Sequence, residues 1–201
     1  MGRPYKPKDH FFHKAKSEGL RARSAFKIEE IAKRFGLFSK GAAVLDLGAA
    51  PGGFLQMIAT HVGDKGRVVG VDLVAIRPLG LKQVVTTVAN VLDDEFDARL
   101  DAIHPGRFDV VVSDLAPKTT GIRPTDEARS FRLAGKALEV SARKGSPGGH
   151  FVAKLFMGGD FEAFRDDVRA RYEDVKIVRP EATRGASIEV YVVGLTRRAA
   201  T

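Results

Sequence analysis

The stretch VLDLGAAPGGFLQ, residues 44–56, decides the fold, because it runs from an apolar strand through a glycine-rich turn into helix-forming residues. Strand, tight turn and helix is the arrangement with which α/β proteins build a nucleotide pocket. From Gly48 the spacing is G-x-x-x-G-G, whereas the dinucleotide fingerprint is G-x-G-x-x-G, with its second glycine beside the pyrophosphate. Ala49 and Ala50 occupy that region and Pro51 stiffens it. The turn is therefore typical of a pocket for a nucleoside without a pyrophosphate bridge.

Strand and helix signals alternate along the rest of the chain, which predicts a mainly parallel sheet with helices on both faces. The clearest helical stretches are 53–62, 126–144 and 160–172, the second with Thr125 as its N-cap. Only a loop separates the last two strands, so these two are expected to pair antiparallel. We therefore predict an α/β fold of the Rossmann-like type, with a seven-stranded sheet that is parallel except for its last strand. The strands are predicted near residues 42–47, 67–72, 84–89, 108–113, 149–155, 174–178 and 188–194.

The basic residues are concentrated near the N-terminus. Residues 1–40 hold 11 Lys/Arg against 4 Asp/Glu, whereas residues 41–201 hold 22 against 21. Such a patch is the electrostatic signature of a phosphate-backbone partner, the alternative being a solvated tail. A helical apolar stripe between Ser24 as N-cap and Gly36 as C-cap argues against a tail for the second half of this segment. We predict a nucleic-acid-binding arm and helix over 1–40 and one Rossmann-like domain over 41–201.

Composition excludes several kinds of site. The chain has no cysteine, which excludes disulfides, cysteine-based zinc sites and thiolate nucleophiles. No apolar run approaches the roughly 18 residues of a membrane-spanning helix, and the N-terminus lacks the apolar core of a signal peptide. His10 and His13 have no acidic or thiol companions, so no metal is predicted. We expect a cytoplasmic protein without a membrane partner.

Polar residues end the predicted strands, where ligands bind in open parallel sheets. Asp46 precedes the glycine turn. Asp72, nineteen residues after Gly53, is placed to accept hydrogen bonds from both ribose hydroxyls of a nucleoside. An acid that caps a loop is the alternative for Asp72, but the glycine turn favours the ligand. Asn90 is predicted to contact an adenine edge, although Asn is also a common turn residue.

Further charged residues lie at or inside the central strands. Asp114 follows FDVVVS, Lys154 lies within FVAKLF and Glu189 lies in SIEVYVV. Lysine is rarely fully buried without a partner, so we expect these acids and this lysine to pair. The alternative for Lys154 is a side chain that extends to the surface. Lys27, at the margin of the N-terminal apolar stripe, is the fourth candidate.

In this order the motifs resemble those of the FtsJ-like ribosomal RNA 2′-O-ribose methyltransferases. The similarity spans roughly residues 8–195 and is carried by DHFFHKAKSEGLRARSAFKIEEI, VLDLGAAPGGF, VVSDLAP, GHFVAKLF and SIEVYVV. The resemblance implies S-adenosylmethionine (S-adenosyl-L-methionine) as cofactor and a ribose 2′-hydroxyl of RNA as methyl acceptor, in a uridine of the large-subunit (23S) ribosomal RNA. It also implies a catalytic tetrad of Lys27, Asp114, Lys154 and Glu189, in which Lys154 either deprotonates the hydroxyl or only orients it.

The resemblance also implies where the cofactor binds. In the family its contacts fall on the positions of Gly52, Phe54 and Asp72, with Asp114 nearby. Where the family has an aspartate for the adenine amino group, this chain has Asn90, whose carbonyl oxygen is also an acceptor. The predicted cofactor-binding residues are Gly48, Ala49, Pro51, Gly52, Gly53, Phe54, Asp72, Leu73, Asn90 and Asp114.

Other functions remain as alternatives at this point. A nicotinamide dehydrogenase shares the fold class, but the glycine spacing and the basic arm argue against it. A non-catalytic ribosome assembly factor would keep the arm, yet it would not require a buried Lys154 beside acids. Transfer RNA or another RNA is the alternative substrate. We expect a monomer that binds the large ribosomal subunit or its RNA, with an arm over 1–23 that does not contribute to cofactor affinity.

Overall fold

A computed structural model of the chain describes residues 10–185 and 187–199, so the part of the predicted arm before His10 lies outside the described residues. Its single sheet has the order β3-β2-β1-β4-β5-β7-β6. β7 runs antiparallel to β5 and β6, and the other pairs are parallel. The predicted Rossmann-like fold is confirmed. The strands are β1 (Ala43–Leu47), β2 (Arg67–Asp72), β3 (Val84–Val88), β4 (Phe108–Ser113), β5 (Gly145–Phe156), β6 (Tyr172–Val178) and β7 (Glu189–Arg197).

Six helices connect or cover these strands within the described ranges. The helices are α1 (His10–Ser17), α2 (Ala25–Phe35), α3 (Gly53–Val62), α4 (Phe96–Ile103), α5 (Arg123–Lys144) and α6 (Phe161–Arg171). Two of them, α1 and α4, were not predicted, because each has only eight residues and so shows little periodicity. No helix in the described part of the chain is long and apolar enough to cross a membrane.

The helix ends differ from the prediction in three places. Ser24 precedes α2 but has helical dihedrals and no side-chain capping hydrogen bond, and α6 is one residue shorter at each end than the predicted 160–172. The start of α5 differs most. α5 begins at Arg123, two residues before the predicted N-cap Thr125, with Pro124 in its first turn. Proline is favoured there because the backbone N–H groups in the first turn of a helix have no partner within the helix, so the missing N–H of proline costs no hydrogen bond. The carboxylate of Asp126 then reaches back and accepts hydrogen bonds from the amides of Thr120 and Gly121. As predicted, α2 ends at Gly36 in the left-handed conformation, with φ 62°.

Each face of the sheet buries its own apolar cluster. On one face, Ile28 and Ile31 of α2 pack with α3 against the strands, in a cluster that also holds Val112 and Val152. On the other face, helices α4, α5 and α6 cover a second cluster that includes Ala153. α2 is therefore built into the fold, which agrees with the argument against a solvated tail for this half of the basic segment.

α1 is attached at one edge of the molecule, near the loop that leads into β7. A small apolar cluster joins Ala15 of α1 to Phe26 of α2 and Ala182 of that loop. The guanidinium of Arg23 also donates to the carbonyl of Ala182 at 3.0 Å. These contacts place α1 and the residues before α2 beside the loop that leads into β7.

Candidate active site

The strand register brings the predicted charged residues to one face of the sheet. Side chains alternate between the faces of a strand, so Lys154 shares a face with Val152, which packs under α2 and α3. In the antiparallel pair, Lys154 lies opposite Tyr191. Glu189, two residues before Tyr191, points to the same side, and Lys27 approaches it from the first turn of α2.

The four predicted catalytic residues form two ion pairs. Lys27 Nζ lies 2.8 Å from Glu189 Oε2, and Lys154 Nζ lies 2.9 Å from Asp114 Oδ1. Lys154 Nζ also donates to the backbone carbonyl of Asp114 at 2.8 Å. Both lysines are buried, at 7% and 6% exposure. Paired burial, rather than extension of Lys154 to the surface, is therefore the arrangement in the structure.

Tyr191 is a central residue of this group that the sequence interpretation missed. Its hydroxyl donates to Asp114 Oδ1 at 2.7 Å, and Lys27 Nζ lies 5.8 Å from the centre of its ring. Burial, and then the neighbouring carboxylate of Asp114, raise the pKa of Tyr191 well above its usual value. The phenol therefore stays protonated and holds the Asp114 side chain. Strand alternation from Glu189 could have indicated it, since both positions face the same way.

The environment of Glu189 keeps it ionised. Partial burial raises the pKa of Glu189, but the charge and hydrogen bond of Lys27, together with Lys154 and Ser187, outweigh this effect and leave the pKa lowered. Because Lys154 contributes to this shift, the two ion pairs form one electrostatic group.

A cavity of about 340 Å³ opens at the carboxyl ends of β1, β2 and β4. It lies where the strand order reverses between β1 and β4, the point at which open α/β sheets bind ligands. Lys154 and Asp114 line it, so the cavity reaches the ion-paired group. The predicted cofactor residues that also line it are Gly48, Asp72, Leu73 and Asn90.

Asp72 fixes two walls of this cavity. Its Oδ2 accepts from the amide of Ala50 in the glycine turn at 2.9 Å, and its Oδ1 accepts from the amide of Val74 at 3.1 Å. Capping of loops, the alternative weighed for this acid, is therefore part of its role. A carboxylate has about four lone-pair sites, so acceptor capacity remains for a ligand.

Asn90 makes a comparable local bond. Its Oδ1 accepts from the amide of Leu92 at 3.1 Å, as turn-forming asparagines do. An amide oxygen has two lone pairs, so this bond leaves one acceptor site for the adenine contact that the sequence predicts.

The other predicted turn residues do not line the cavity. The cofactor roles of all the predicted residues, whether or not they line it, stay predictions. Ala49 and Phe54 are buried in the apolar cluster on the α2 and α3 face of the sheet.

Gly48, which lines the cavity, has a positive φ of 81°, and a Cβ there would lie 2.9 Å from the backbone nitrogen of Leu115. That glycine is required because the loop after β4 approaches the turn closely.

The remaining residues of the turn face the N-terminal segment. A Cβ on Gly52 would lie 3.3 Å from Arg21 Cδ, and one on Gly53 would lie 3.0 Å from the Cβ of Ala22. The carbonyl of Pro51 accepts a hydrogen bond from Arg21 at 3.2 Å.

Asp46 is a second functional candidate outside the predicted set. It is fully buried, and neither of its carboxylate oxygens has a hydrogen-bond partner within the described residues. Burial, and then the charges of Asp114 and Asp72, raise its pKa well above the usual value. The signal was an acid inside the apolar strand VLDL. Three carboxyl groups at this end of the sheet suit a ligand that brings positive charge or hydrogen-bond donors.

In the described part of the chain, no cluster of His, Asp and Glu side chains is placed to hold a metal ion.

Solved structures share the fold at low sequence identity. One described as a ribosomal RNA methyltransferase of Plasmodium falciparum aligns with a TM-score of 0.79 and 20% identity, covering 90% of this chain and 100% of the other. One described as a hemolysin of Streptococcus thermophilus aligns with a TM-score of 0.64 and 16% identity, covering 90% and 68%. At these identities the likeness establishes the architecture alone.

Sequence comparison is more specific. Residues 20–197 match the family model of the FtsJ-like methyltransferases. The chain is 67% identical over 199 residues to the ribosomal RNA large subunit methyltransferase E of Myxococcus xanthus, covering 99% of this chain and 93% of the relative. Its identity to the protein of the same name from Anaeromyxobacter sp. is 53%, covering 100% and 73%. The chain belongs to the FtsJ-like methyltransferase family.

Proposed function

We propose that this protein transfers a methyl group from S-adenosylmethionine to a ribose 2′-hydroxyl of RNA, with a uridine of large-subunit (23S) ribosomal RNA as the target. The observation that carries the proposal is Lys154, which lines the cavity and at the same time belongs to the ion-paired group. A methyl donor in the cavity and an acceptor hydroxyl at Lys154 would therefore meet. Family membership removes the dehydrogenase alternative, and the names of the relatives support ribosomal RNA as the substrate.

The cavity residues suit this cofactor. When bound, S-adenosylmethionine would supply a methyl group bonded to a sulfonium sulfur, and the neutral thioether of S-adenosylhomocysteine would be the leaving group. Asp72 would accept from the ribose hydroxyls and Asn90 from the adenine amino group. Asp72 and Asp114 line the cavity with carboxylate oxygens, which favours a ligand that brings positive charge and hydrogen-bond donors.

Lys154 is the residue proposed to act on the acceptor hydroxyl. An amine nitrogen has three positions besides its carbon, and two of them point to the side chain and the carbonyl of Asp114. The third position is an N–H donor if the group is an ammonium, and a lone pair if it is an amine. The ammonium would orient the hydroxyl oxygen, whereas the amine would accept its proton.

Asp114 and Tyr191 hold Lys154 in place, and the pair formed by Lys27 and Glu189 borders it. Alignment of donor and acceptor by such fixed groups supplies as much as about 7–11 kcal/mol in favourable cases. Positioning is therefore a role of the four charges whichever form Lys154 takes.

The basic segment is proposed to hold the RNA. Lys14 and Lys16 are exposed on α1, and Lys33 is exposed on α2, the helix that also carries Lys27. We keep the division into an RNA-binding arm and helix over 1–40 and a methyltransferase domain over 41–201 as part of this proposal. A monomeric state and a cytoplasmic location stay predictions.

Mapping of the modified nucleotide tests the proposal. The protein is incubated with labelled S-adenosylmethionine and with large ribosomal subunits, free 23S RNA or transfer RNA, and the 2′-O-methylated position is located. We expect label in large-subunit RNA, lost in Lys154→Ala and retained in the control Lys176→Ala, whose exposed side chain lies on β6. If the wild-type protein binds the cofactor but labels none of these RNAs, the assembly-factor alternative replaces the enzyme.

A further inference from the structure

Arg21 connects the N-terminal segment to both loops that border the cofactor cavity. Its Nη1 donates to the carbonyl of Pro51, in the glycine turn, at 3.2 Å, and to the carbonyl of Arg77 at 2.5 Å. Its Nη2 donates to the carbonyl of Pro78 at 2.6 Å. One guanidinium therefore joins the turn after β1 to the segment of residues 73–80 after β2. A planar guanidinium suits this task because its donors have a fixed fork geometry.

Gln56 fixes the backbone at Arg21 and two residues before it. Gln56, in the first turns of α3, accepts from the amide of Arg21 at 2.8 Å and donates to the carbonyl of Gly19 at 3.0 Å. The segment that carries the guanidinium is thus attached to the helix that follows the glycine turn. Its position does not depend on the guanidinium alone.

The glycines of the turn are explained by this packing. Gly52 has a φ of 110°, and a Cβ there would lie 3.4 Å from Arg21 Nη1 and 3.5 Å from Cγ2 of Ile76. Gly53 meets Ala22 in the same way. The G-G pair thus admits the N-terminal segment, and the turn is enclosed between this segment and residues 73–80.

We propose that Arg21 is a positioning residue for the methyl donor, which holds the turn 48–53 and the loop 73–80 at the separation that the cofactor requires. The proposal rests on the proposed function. Asp72 joins the same two loops from within the cavity, through the amides of Ala50 and Val74. Arg21 joins them a second time, from the N-terminal segment outside the cavity. On this proposal the arm contributes to the cofactor site, which is the opposite of the expectation that the arm leaves cofactor affinity unchanged.

The variant Arg21→Lys distinguishes a positioning role of Arg21 in the cofactor site from a role as a positive charge that contacts RNA phosphates. The substitution keeps the positive charge but cannot reproduce three hydrogen bonds from one planar group. Calorimetry with S-adenosylhomocysteine, the demethylated form of the cofactor, measures the affinity. We expect at least about a tenfold loss, the factor that one lost hydrogen bond to a charged group typically causes. Amide hydrogen exchange should accelerate in 49–53 and 73–80, and the KM for the methyl donor should rise while kcat at saturation is retained.

Lys16→Gln is the matched control, because it removes an exposed charge of α1 that does not touch the turn. It should leave cofactor affinity unchanged and reduce the salt dependence of RNA binding, which Arg21→Lys should leave unchanged. Wild-type affinity in Arg21→Lys would overturn the proposal, and so would a loss of kcat without a rise in KM. Absence of cofactor binding by the wild-type protein would instead reject the proposed function.

Discussion

Among single residues, Lys154 has the environment that bears most directly on the chemistry. Arginine stays protonated in proteins, so Lys154→Arg keeps a charge beside Asp114 but cannot accept a proton from the hydroxyl. We expect the single-turnover rate of methyl transfer to fall by about 10²–10⁴, the usual contribution of a general base. Cofactor affinity measured by calorimetry serves as the control and should stay within about twofold of wild type. A variant with near-normal rate would assign Lys154 an orienting role only.

Asp46 determines a pH dependence of stability. Its pKa is raised in the folded chain, so folding takes up a proton, and the stability that this carboxyl contributes is complete below its unfolded value of about 3.8. This contribution is lost as the pH rises through the folded pKa. Asp46→Asn removes the linkage, because an amide does not titrate in this range. Relative to wild type, we therefore expect the variant to gain stability as the pH rises above the unfolded value of about 3.8, as measured by urea unfolding.

Asp64→Asn is the control for this measurement, since Asp64 is exposed and pairs with Lys82 at the surface. Its pH profile should follow that of the wild-type protein. Parallel profiles for Asp46→Asn and wild type would show that Asp46 is not protonated on folding.

Some of the contacts that hold the elements around the cavity can be predicted from the sequence, and others cannot. Lys154 and Glu189 could be predicted because a charge inside an apolar strand needs a partner. Arg21 could not, because its partners are backbone carbonyls 30, 56 and 57 residues away, and a carbonyl leaves no mark in the sequence. The start of α5 was misplaced for a related reason: the acid three residues into the helix binds the preceding loop rather than marking a cap at Thr125.

Asp72 acts at the scale of elements, since it ties the turn after β1 to the loop after β2. Asp72→Ala should weaken S-adenosylmethionine binding by about 1.5–3 kcal/mol, the range for a hydrogen bond to a charged group. Calorimetry measures the affinity, and a thermal melt establishes that the variant is folded. Unchanged affinity in a folded variant would remove Asp72 from the cofactor site and leave it with the loop contacts alone.

At the scale of the whole molecule, the two proposals together assign the basic segment to two sites, the RNA and the cofactor cavity. Its first part, through Ser17, presents exposed lysines on α1, whereas its second part, from Gly19 to Arg23, is packed on α3 and on the loop before β7. Charge composition predicted the partner of the whole segment, but it could not show that the segment divides. That division depends on Arg21 and Gln56, which meet only in the folded chain.

Two truncations test this division. Removal of residues 1–17 deletes five basic residues but leaves Arg21 in place. Removal of residues 1–23 deletes these five residues and Arg21 as well. The five are Arg3, Lys6, Lys8, Lys14 and Lys16. Each phosphate contact adds about 0.7–0.9 to the slope of log affinity against log salt, so the shorter truncation should flatten the slope by up to about 4. Because the Arg21 contacts persist, we expect its affinity for S-adenosylhomocysteine to stay at the wild-type value. The longer truncation should lose RNA binding and cofactor affinity together. Equal cofactor affinity in both truncated proteins would mean that the segment from Gly19 to Arg23 does not shape the cavity, and an unchanged salt slope in the shorter one would place the RNA elsewhere on the molecule.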